Sequence, residues 1–284
     1  MTVETVGMLG LGAMGGAVAS ALKRSGYNVV TSLGGRSQRT VDSANDRGIA
    51  DVGGMDALVR ESDLVISILV PASASTVAAS IASAASSTGS TVTFADCNAV
   101  APDTAAAMAD IVENSGARFV DAGIIGGPPR EGYAPRFYIS GPHLEQMMEL
   151  DGKGIEVLPV GAGFGRASAL KMCYAAQTKG ITALQAAMLV SASRLGVYDE
   201  LIAELEHSQA ASLEGARAGV MRLPSVAGRW IGEMEEIAST FESVGVTGGF
   251  HQGAAEMFRL VDASDTVYAE SADDLIRGFA AEIR

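Results

Sequence analysis

Apolar residues fall in short runs through the first half of the chain and in longer, helically spaced stretches through the second. TVGMLGLG, NVVTSL, LVISILV, TVTFADC and ARFVDAGII all have strand length, and alanine-rich helical segments separate the later ones. Such alternation predicts a parallel sheet covered by helices. Helical crossovers are expected to open at Pro71, before ASASTVAASIASAASS, and at Pro102, before DTAAAMADIVENSG, because a first helical turn tolerates proline. Val70 and Asn98, just before these crossovers, fall on the carboxyl edge of the sheet, where open α/β sheets bind ligands. Two further runs, RFYISG and IEVLPVG, extend the sheet to about residue 160.

Beyond that point the pattern changes. From Arg166 to Leu195 Gly180 is the only glycine or proline, and apolar residues recur at helical spacing, which predicts one long helix. Segments around 199–215, 226–244 and 253–261 also read as helices punctuated by Gly and Pro. The expected fold class is α/β: a Rossmann-type doubly wound sheet over residues 1–162, then an all-α domain over 163–284 entered by a long interdomain helix. At 284 residues the chain has room for two domains that each bury a core.

The hexapeptide Gly10–Leu11–Gly12–Ala13–Met14–Gly15 lies directly behind the first strand-like run and ahead of the helical stretch AVASALKRSG. In that setting it reads as a dinucleotide fingerprint. Gly10 allows the tight turn, Gly12 lets a pyrophosphate approach bare backbone, and Gly15 lets the helix pack closely on the strand. The phosphates then meet a helix N-terminus, where unpaired N–H groups and the macrodipole favour negative charge. A membrane helix or signal core is the competing reading of the uncharged stretch Val6–Leu22. Its five glycines, and Glu4 as the only charge before it, argue against that.

The segment after this helix selects the dinucleotide. An NAD site places an acid near the end of the second strand, around Leu33, but no Asp or Glu lies between Glu4 and Asp42. The turn GGRSQRT instead offers Arg36, Ser37 and Arg39, groups that suit a 2′-phosphate. The expected cofactor is NADP(H).

The net charge of -13 argues against nucleic acid as a partner on electrostatic grounds. Cys97 and Cys173 lack metal or redox spacing and read as buried thiols in a reducing cytoplasm, and the scattered His143, His207 and His251 suggest no metal site. No stretch is apolar enough to span a bilayer, so a small molecule is the expected partner.

Between Arg166 and Arg194 the only charged side chains are Lys171 and Lys179, in a helix otherwise of small and apolar residues, a composition that predicts burial. Lys171 follows GAGFGRA at the domain junction, with Tyr174 one turn on along the same face. A lysine facing a nicotinamide there is placed for acid–base work.

GLGAMG, the segment DAGIIGGP at Asp121–Pro128 and the glycine-led GFGRASALKMC together resemble the β-hydroxyacid dehydrogenase superfamily over nearly the whole chain. That group includes 3-hydroxyisobutyrate and 6-phosphogluconate dehydrogenases and has imine reductases as relatives. The chain looks most like a branch of 6-phosphogluconate dehydrogenase-like NAD-binding proteins. The resemblance implies a Rossmann domain and a helical domain joined by a helix that builds a homodimer. It makes Lys171 the catalytic lysine, and Gly126 and Gly127 a loop offering N–H groups to a substrate carboxylate. Asn98 becomes the residue closing over nicotinamide and substrate, and Val70 and Pro71 the loop under the ring. The expected reaction is hydride transfer between NADP(H) and a small hydroxyacid or related alcohol or carbonyl compound; Tyr174, which is not part of the family pattern, is able to bond the same oxygen as Lys171.

The chain departs from that pattern at Ala175 and Tyr174, where Asn or His is usual, and at Ile125, where many members carry Ser. A second lysine expected near the C-terminal helix falls on Gly232, with Arg229 one turn away. These losses keep two alternatives open: an NADPH-dependent imine reductase, and a non-catalytic NADP(H)-binding protein. Arg130 and Arg136 read as solvated hairpin residues, Trp230 and His251 as packing residues, GEMEEI (232–237) as a solvated helix face, and Asp121 as a strand end.

Overall fold

Most of the parallel strands are short apolar runs that end in a turn and are followed by a helix that carries the chain back. In order these are β1 (Thr5–Leu9), α1 (Ala13–Arg24), β2 (Asn28–Thr31), α2 (Gln38–Arg47), β3 (Ala50–Asp51), α3 (Met55–Glu61) and β4 (Leu64–Ser67). A 3-10 turn at Pro71–Ser73 then leads into α4 (Ala74–Thr88), β5 (Thr93–Asp96), α5 (Pro102–Glu113) and β6 (Arg118–Ile125). The sheet is completed by β7 (Arg136–Ser140), the short α6 (Glu145–Met148) and β8 (Glu156–Pro159). The structure is a computed structural model and describes residues 2–282.

The eight strands pair in the order β3-β2-β1-β4-β5-β6-β7-β8. Winding runs outward from β1 to β3, then restarts at β4 and runs the other way, so β1 and β4 flank the point where strand order reverses. Ligands of such sheets bind at the carboxyl ends beside that point. Alternate side chains go to opposite faces. Met8, Ile66, Ala95 and Val120 pack with Val18 and Leu22 of α1, while Leu9, Val65, Phe94 and Phe119 pack with Leu58, Ile81 and Met108 of α3, α4 and α5.

Two features of this sheet lie outside the sequence reading. β7 runs antiparallel to β6, from which the loop 126–135 turns it back. The two-residue β3, the polar helix α2 and the seven-residue α3 are not read from the sequence either.

The chain divides into two compact units, Met1–Met172 and Cys173–Arg284. The division falls inside the long helix α7 (Arg166–Leu195), whereas the sequence reading drew it at 162/163, ahead of that helix. The second unit holds the rest of α7 with α8 (Tyr198–Ser208), α9 (Ala210–Ser243), α10 (Gly249–Asp262) and α11 (Ala272–Glu282). The break after α8 lies at Gln209, so the segment expected at 199–215 is two helices. Conversely α9 runs unbroken for 34 residues through Pro224, where separate helices were expected. Proline inside a helix costs about 3 kcal/mol. Burial of Val220, Leu223 and Ala227 around it offsets that cost. No described helix is long and apolar enough to cross a membrane.

Candidate active site

The glycine turn after β1 shows what each glycine is for. Gly10 has φ +93°, and a Cβ there would lie 2.2 Å from Ile68 O; one on Gly15 would lie 1.9 Å from Gly10 O. Gly12, the N-cap of α1, meets nothing within 4 Å, so its bare backbone faces open space at a helix N-terminus with no acidic residue in its first turn. That combination fits a pyrophosphate. Two side chains of α2 hold the turn: Ser43 Oγ donates to Leu11 O at 2.6 Å and Arg47 Nε to Gly16 O at 3.1 Å.

At the end of β2 the turn carries Arg36, Ser37 and Arg39. Ser37 is the N-cap of α2 and shares a 3.1 Å hydroxyl contact with Thr40. Arg36 is half-buried, and Ser37 and Arg39 are exposed. An acid does reach this edge, from β3. Asp51 Oδ1 accepts from Leu33 N–H at 3.1 Å and Gly53 N–H at 2.9 Å. Sequence distance from the fingerprint hid it.

Further along the carboxyl edge the loops after β1, β4 and β5 are bonded together. Ile68 N–H donates to Leu9 O at 2.8 Å and Cys97 N–H to Ser67 O at 2.9 Å. Asn98 completes the link: its Oδ1 accepts from Leu69 N–H at 2.5 Å, and its Nδ2 donates to Ser67 Oγ at 3.1 Å and Asp96 Oδ1 at 2.5 Å. Both amide protons are therefore engaged inside the protein, and the side chain is buried. Asn98 thus clamps the Leu69–Pro71 loop, leaving Val70 exposed at its tip, rather than presenting its amide to a ligand. Burial pushes the Asp96 carboxyl up to about 7 against the lowering effect of its bonds from Asn98, and nearby Asp121 adds to the rise.

Asp121 lies within β6, fully buried, and does not end the strand. Its Oδ2 accepts from the N–H groups of Ala167 and Ser168 at 3.0 and 3.2 Å, and Ser168 Oγ donates to its Oδ1 at 2.6 Å. It is an N-cap for α7 supplied from another element, a carboxylate at the positive end of the helix dipole. Gly123 allows the approach, since a Cβ there would come within 2.8 Å of both Ala167 O and Lys171 Cβ. One turn into α7, Lys171 Nζ donates to Ile124 O at 2.6 Å, beside the end of β6. Tyr174 lies one turn on, 48% exposed.

Gly126 and Gly127 come directly after β6. Gly126 has φ +120°, and Gly127 N–H donates to the hydroxyl of Tyr133 at 3.1 Å. Arg130 stacks its guanidinium 4.5 Å from the Tyr133 ring centroid. Arg136 pairs with Glu156 at 2.9 Å on the exposed edge.

In the helical unit Lys179 and Glu233 form a buried ion pair at 2.8 Å, each residue 7% exposed, with Trp230 beside the ammonium. Glu233 therefore leaves the solvated face expected of GEMEEI, because a partner on another helix satisfies it. Trp230 packs edge-on against Phe258, and His251 against Phe241; burial lowers the imidazole's pKa. Cys97 is buried, but Cys173 is exposed, contrary to the expectation for both thiols. Nor is α7 buried all round, as Ile181, Leu184 and Leu195 are exposed.

The family model described as the NAD binding domain of 6-phosphogluconate dehydrogenase matches residues 5–149, just over half of the chain. A domain of unknown function (DUF1932) matches residues 192–261. A conserved protein of unknown function, described as structurally similar to 3-hydroxyacid dehydrogenases, is 29% identical with a TM-score of 0.68, over 90% of this chain and 96% of its own. The Mycobacterium tuberculosis 3-hydroxyisobutyrate dehydrogenase shares the fold at 18% identity and a TM-score of 0.70, covering 99% of both chains. An imine reductase from Bacillus cereus does so at 22% identity and a TM-score of 0.55, over 91% of this chain and 92% of its own. With a glycine turn shaped for a dinucleotide and a doubly wound sheet succeeded along the chain by a helical unit, the protein belongs to the β-hydroxyacid dehydrogenase superfamily of NAD(P)-dependent oxidoreductases.

Proposed function

We propose that this protein transfers hydride between NADP(H) and a small hydroxyacid, or a related alcohol or carbonyl compound. When bound, the nicotinamide supplies or accepts the hydride. The glycine turn and the α1 N-terminus hold the pyrophosphate, Arg36, Ser37 and Arg39 the 2′-phosphate, and the clamped Val70–Pro71 loop supports the ring. In oxidation Lys171 takes the substrate's hydroxyl proton as a neutral amine, and in reduction its ammonium returns that proton to the carbonyl oxygen. Tyr174 offers a second hydroxyl to the same oxygen. The substrate's carboxylate lies beside the Gly126–Gly127 loop.

The observation that carries this reading is the anchoring of Lys171 Nζ on Ile124 O, at the sheet edge that ends in Gly126. The test is turnover of short 2- and 3-hydroxyacids with NADP and with NAD, in wild type and Lys171→Ala. Activity retained in the variant removes the lysine from the chemistry.

Imine reduction is the second reading. The internal engagement of the Asn98 amide protons favours it, because it removes a donor that a hydroxyacid would use. Cyclic imines tested beside hydroxyacids separate the two, and NADPH binding with no turnover on either panel would identify a non-catalytic binder. A homodimer belongs to the same proposal. The exposed Leu184, Leu195 and Phe250 are the apolar surface it would cover, and sedimentation measures it.

A further inference from the structure

The loop between β6 and β7 carries a group that the proposed reaction leaves unused. Arg130 and Tyr133 exchange main-chain hydrogen bonds, Arg130 N–H to Tyr133 O at 3.1 Å and Tyr133 N–H to Arg130 O at 2.9 Å. These close a two-residue turn over Glu131 and Gly132, whose φ of +70° suits glycine. The turn brings the Tyr133 hydroxyl back beneath the paired glycines. A Cβ on Gly126 would sit 2.2 Å from that oxygen, so glycine at 126 is a condition for the hydroxyl to arrive.

The hydroxyl accepts the Gly127 N–H and so still has its own proton to give, for which no acceptor occurs among the described residues. A hydroxyl that already accepts a hydrogen bond is a stronger donor. Arg130 holds its charge against the same ring, and its Nη1 lies 3.9 Å from where a Gly127 side chain would begin. No carboxylate pairs with Arg130 among the described residues. A polarised O–H and an unneutralised guanidinium thus converge on one spot beside the glycines.

We infer that Tyr133, backed by Arg130, is the specificity-determining group that recognises a carboxylate on the substrate, relaying the Gly127 N–H instead of leaving that amide to bind the anion itself. The inference rests on the proposed substrate class. Charge-assisted hydrogen bonds from O–H and guanidinium groups are the strong, directional contacts that separate a carboxylate from its neutral amide.

The experiment compares 3-hydroxypropanoate with its uncharged amide, 3-hydroxypropanamide, in wild type, Tyr133→Phe and Arg130→Gln, all saturated with NADP. Tyr133→Phe keeps the ring and its stacking on Arg130, and its NADPH affinity should equal that of wild type. Its KM for the acid should rise about tenfold with kcat within twofold, while values for the amide stay put. Arg130→Gln should shrink the acid-over-amide preference likewise.

Binding of the acid is also followed by NMR, so that turnover is not required. Acid binding without turnover in wild type overturns the proposed reaction but leaves Tyr133 testable by the loss of binding in Tyr133→Phe. Equal or tighter acid binding in Tyr133→Phe overturns the inference, since it would make Tyr133 a cover over the Gly127 amide. So would a failure of wild type to bind the acid at all.

Discussion

The two lysines of α7 stand about two turns apart on one helix, yet the surroundings in the two units treat them differently. Lys179 is sealed against Glu233 and Trp230, and its charge is neutralised within the helical unit. Lys171 is only half-buried and rests on a main-chain carbonyl beside the Gly126–Gly127 loop, which ends near the exposed Arg130. The same contrast runs through the units as wholes. The α/β unit sets backbone amides, arginines and one lysine along a single edge, whereas the helical unit turns its buried charge inward and leaves apolar side chains outside. A lysine in an apolar helix is thus not informative until its neighbours are known, because one environment makes it an internal strut and the other a candidate proton carrier.

The sharpest test is Lys171→Ala, expected to lower turnover about 10²–10⁴-fold, the usual contribution of a general acid–base group, with NADPH affinity nearly unchanged. Equal losses in both quantities would make Lys171 a strut like Lys179. For the sealed pair, Glu233→Gln should lower stability in urea by about 3–5 kcal/mol by stranding a buried ammonium. Replacing both partners, as Lys179→Met with Glu233→Leu, should recover most of that loss. A tolerant single variant would mean the pair is wet.

Within the α/β unit Asp96, like Asp121, is an acid turned inward. Its carboxyl is raised from the ordinary 3.8 to about 7, so the folded state holds a proton that the unfolded chain has released. Its contribution to stability is full below about pH 4 and is lost as pH rises through 7. The change is about 4 kcal/mol at most, at 1.36 kcal/mol per unit. Asp96→Asn should flatten that part of the urea profile between pH 4 and 8, and an unchanged slope would place the titration elsewhere. Smallest is Arg36→Ala, expected to weaken NADPH about ten- to a hundredfold, as loss of one charge-assisted contact of about 1.5–3 kcal/mol implies. NADH should be spared, and equal weakening of both would point to Asp51 and the ribose as what this turn recognises.

The glycine turn was legible because its constraints are local. Gly10 needs a positive φ and Gly15 needs room within five residues, so residue type alone exposes the geometry. Lys171 stood out as a candidate because it and Lys179 are the only charged side chains between Arg166 and Arg194, but only their neighbours tell the two apart. Asp121 and Tyr133 were not legible. The first acts on a helix that begins 45 residues later, and the second reaches Gly127 only because a turn at Gly132 folds the chain back. Pro224 misled the reading of α9 because helix-breaking is a local tendency, while the packing that overrides it comes from another helix.

The main strands of the sheet, the dinucleotide turn and the absence of an acid between Glu4 and Asp42 came from the sequence, since each depends on neighbouring residues and short-range sterics. Which polar groups are consumed inside the fold came from the tertiary structure alone. Asn98 bonded to Leu69, Lys179 neutralised by Glu233, and Gly127 covered by Tyr133 are pairings across 6 to 54 residues. Hydrogen bonds and ion pairs need contact in space, which a linear pattern of apolar and polar residues does not encode.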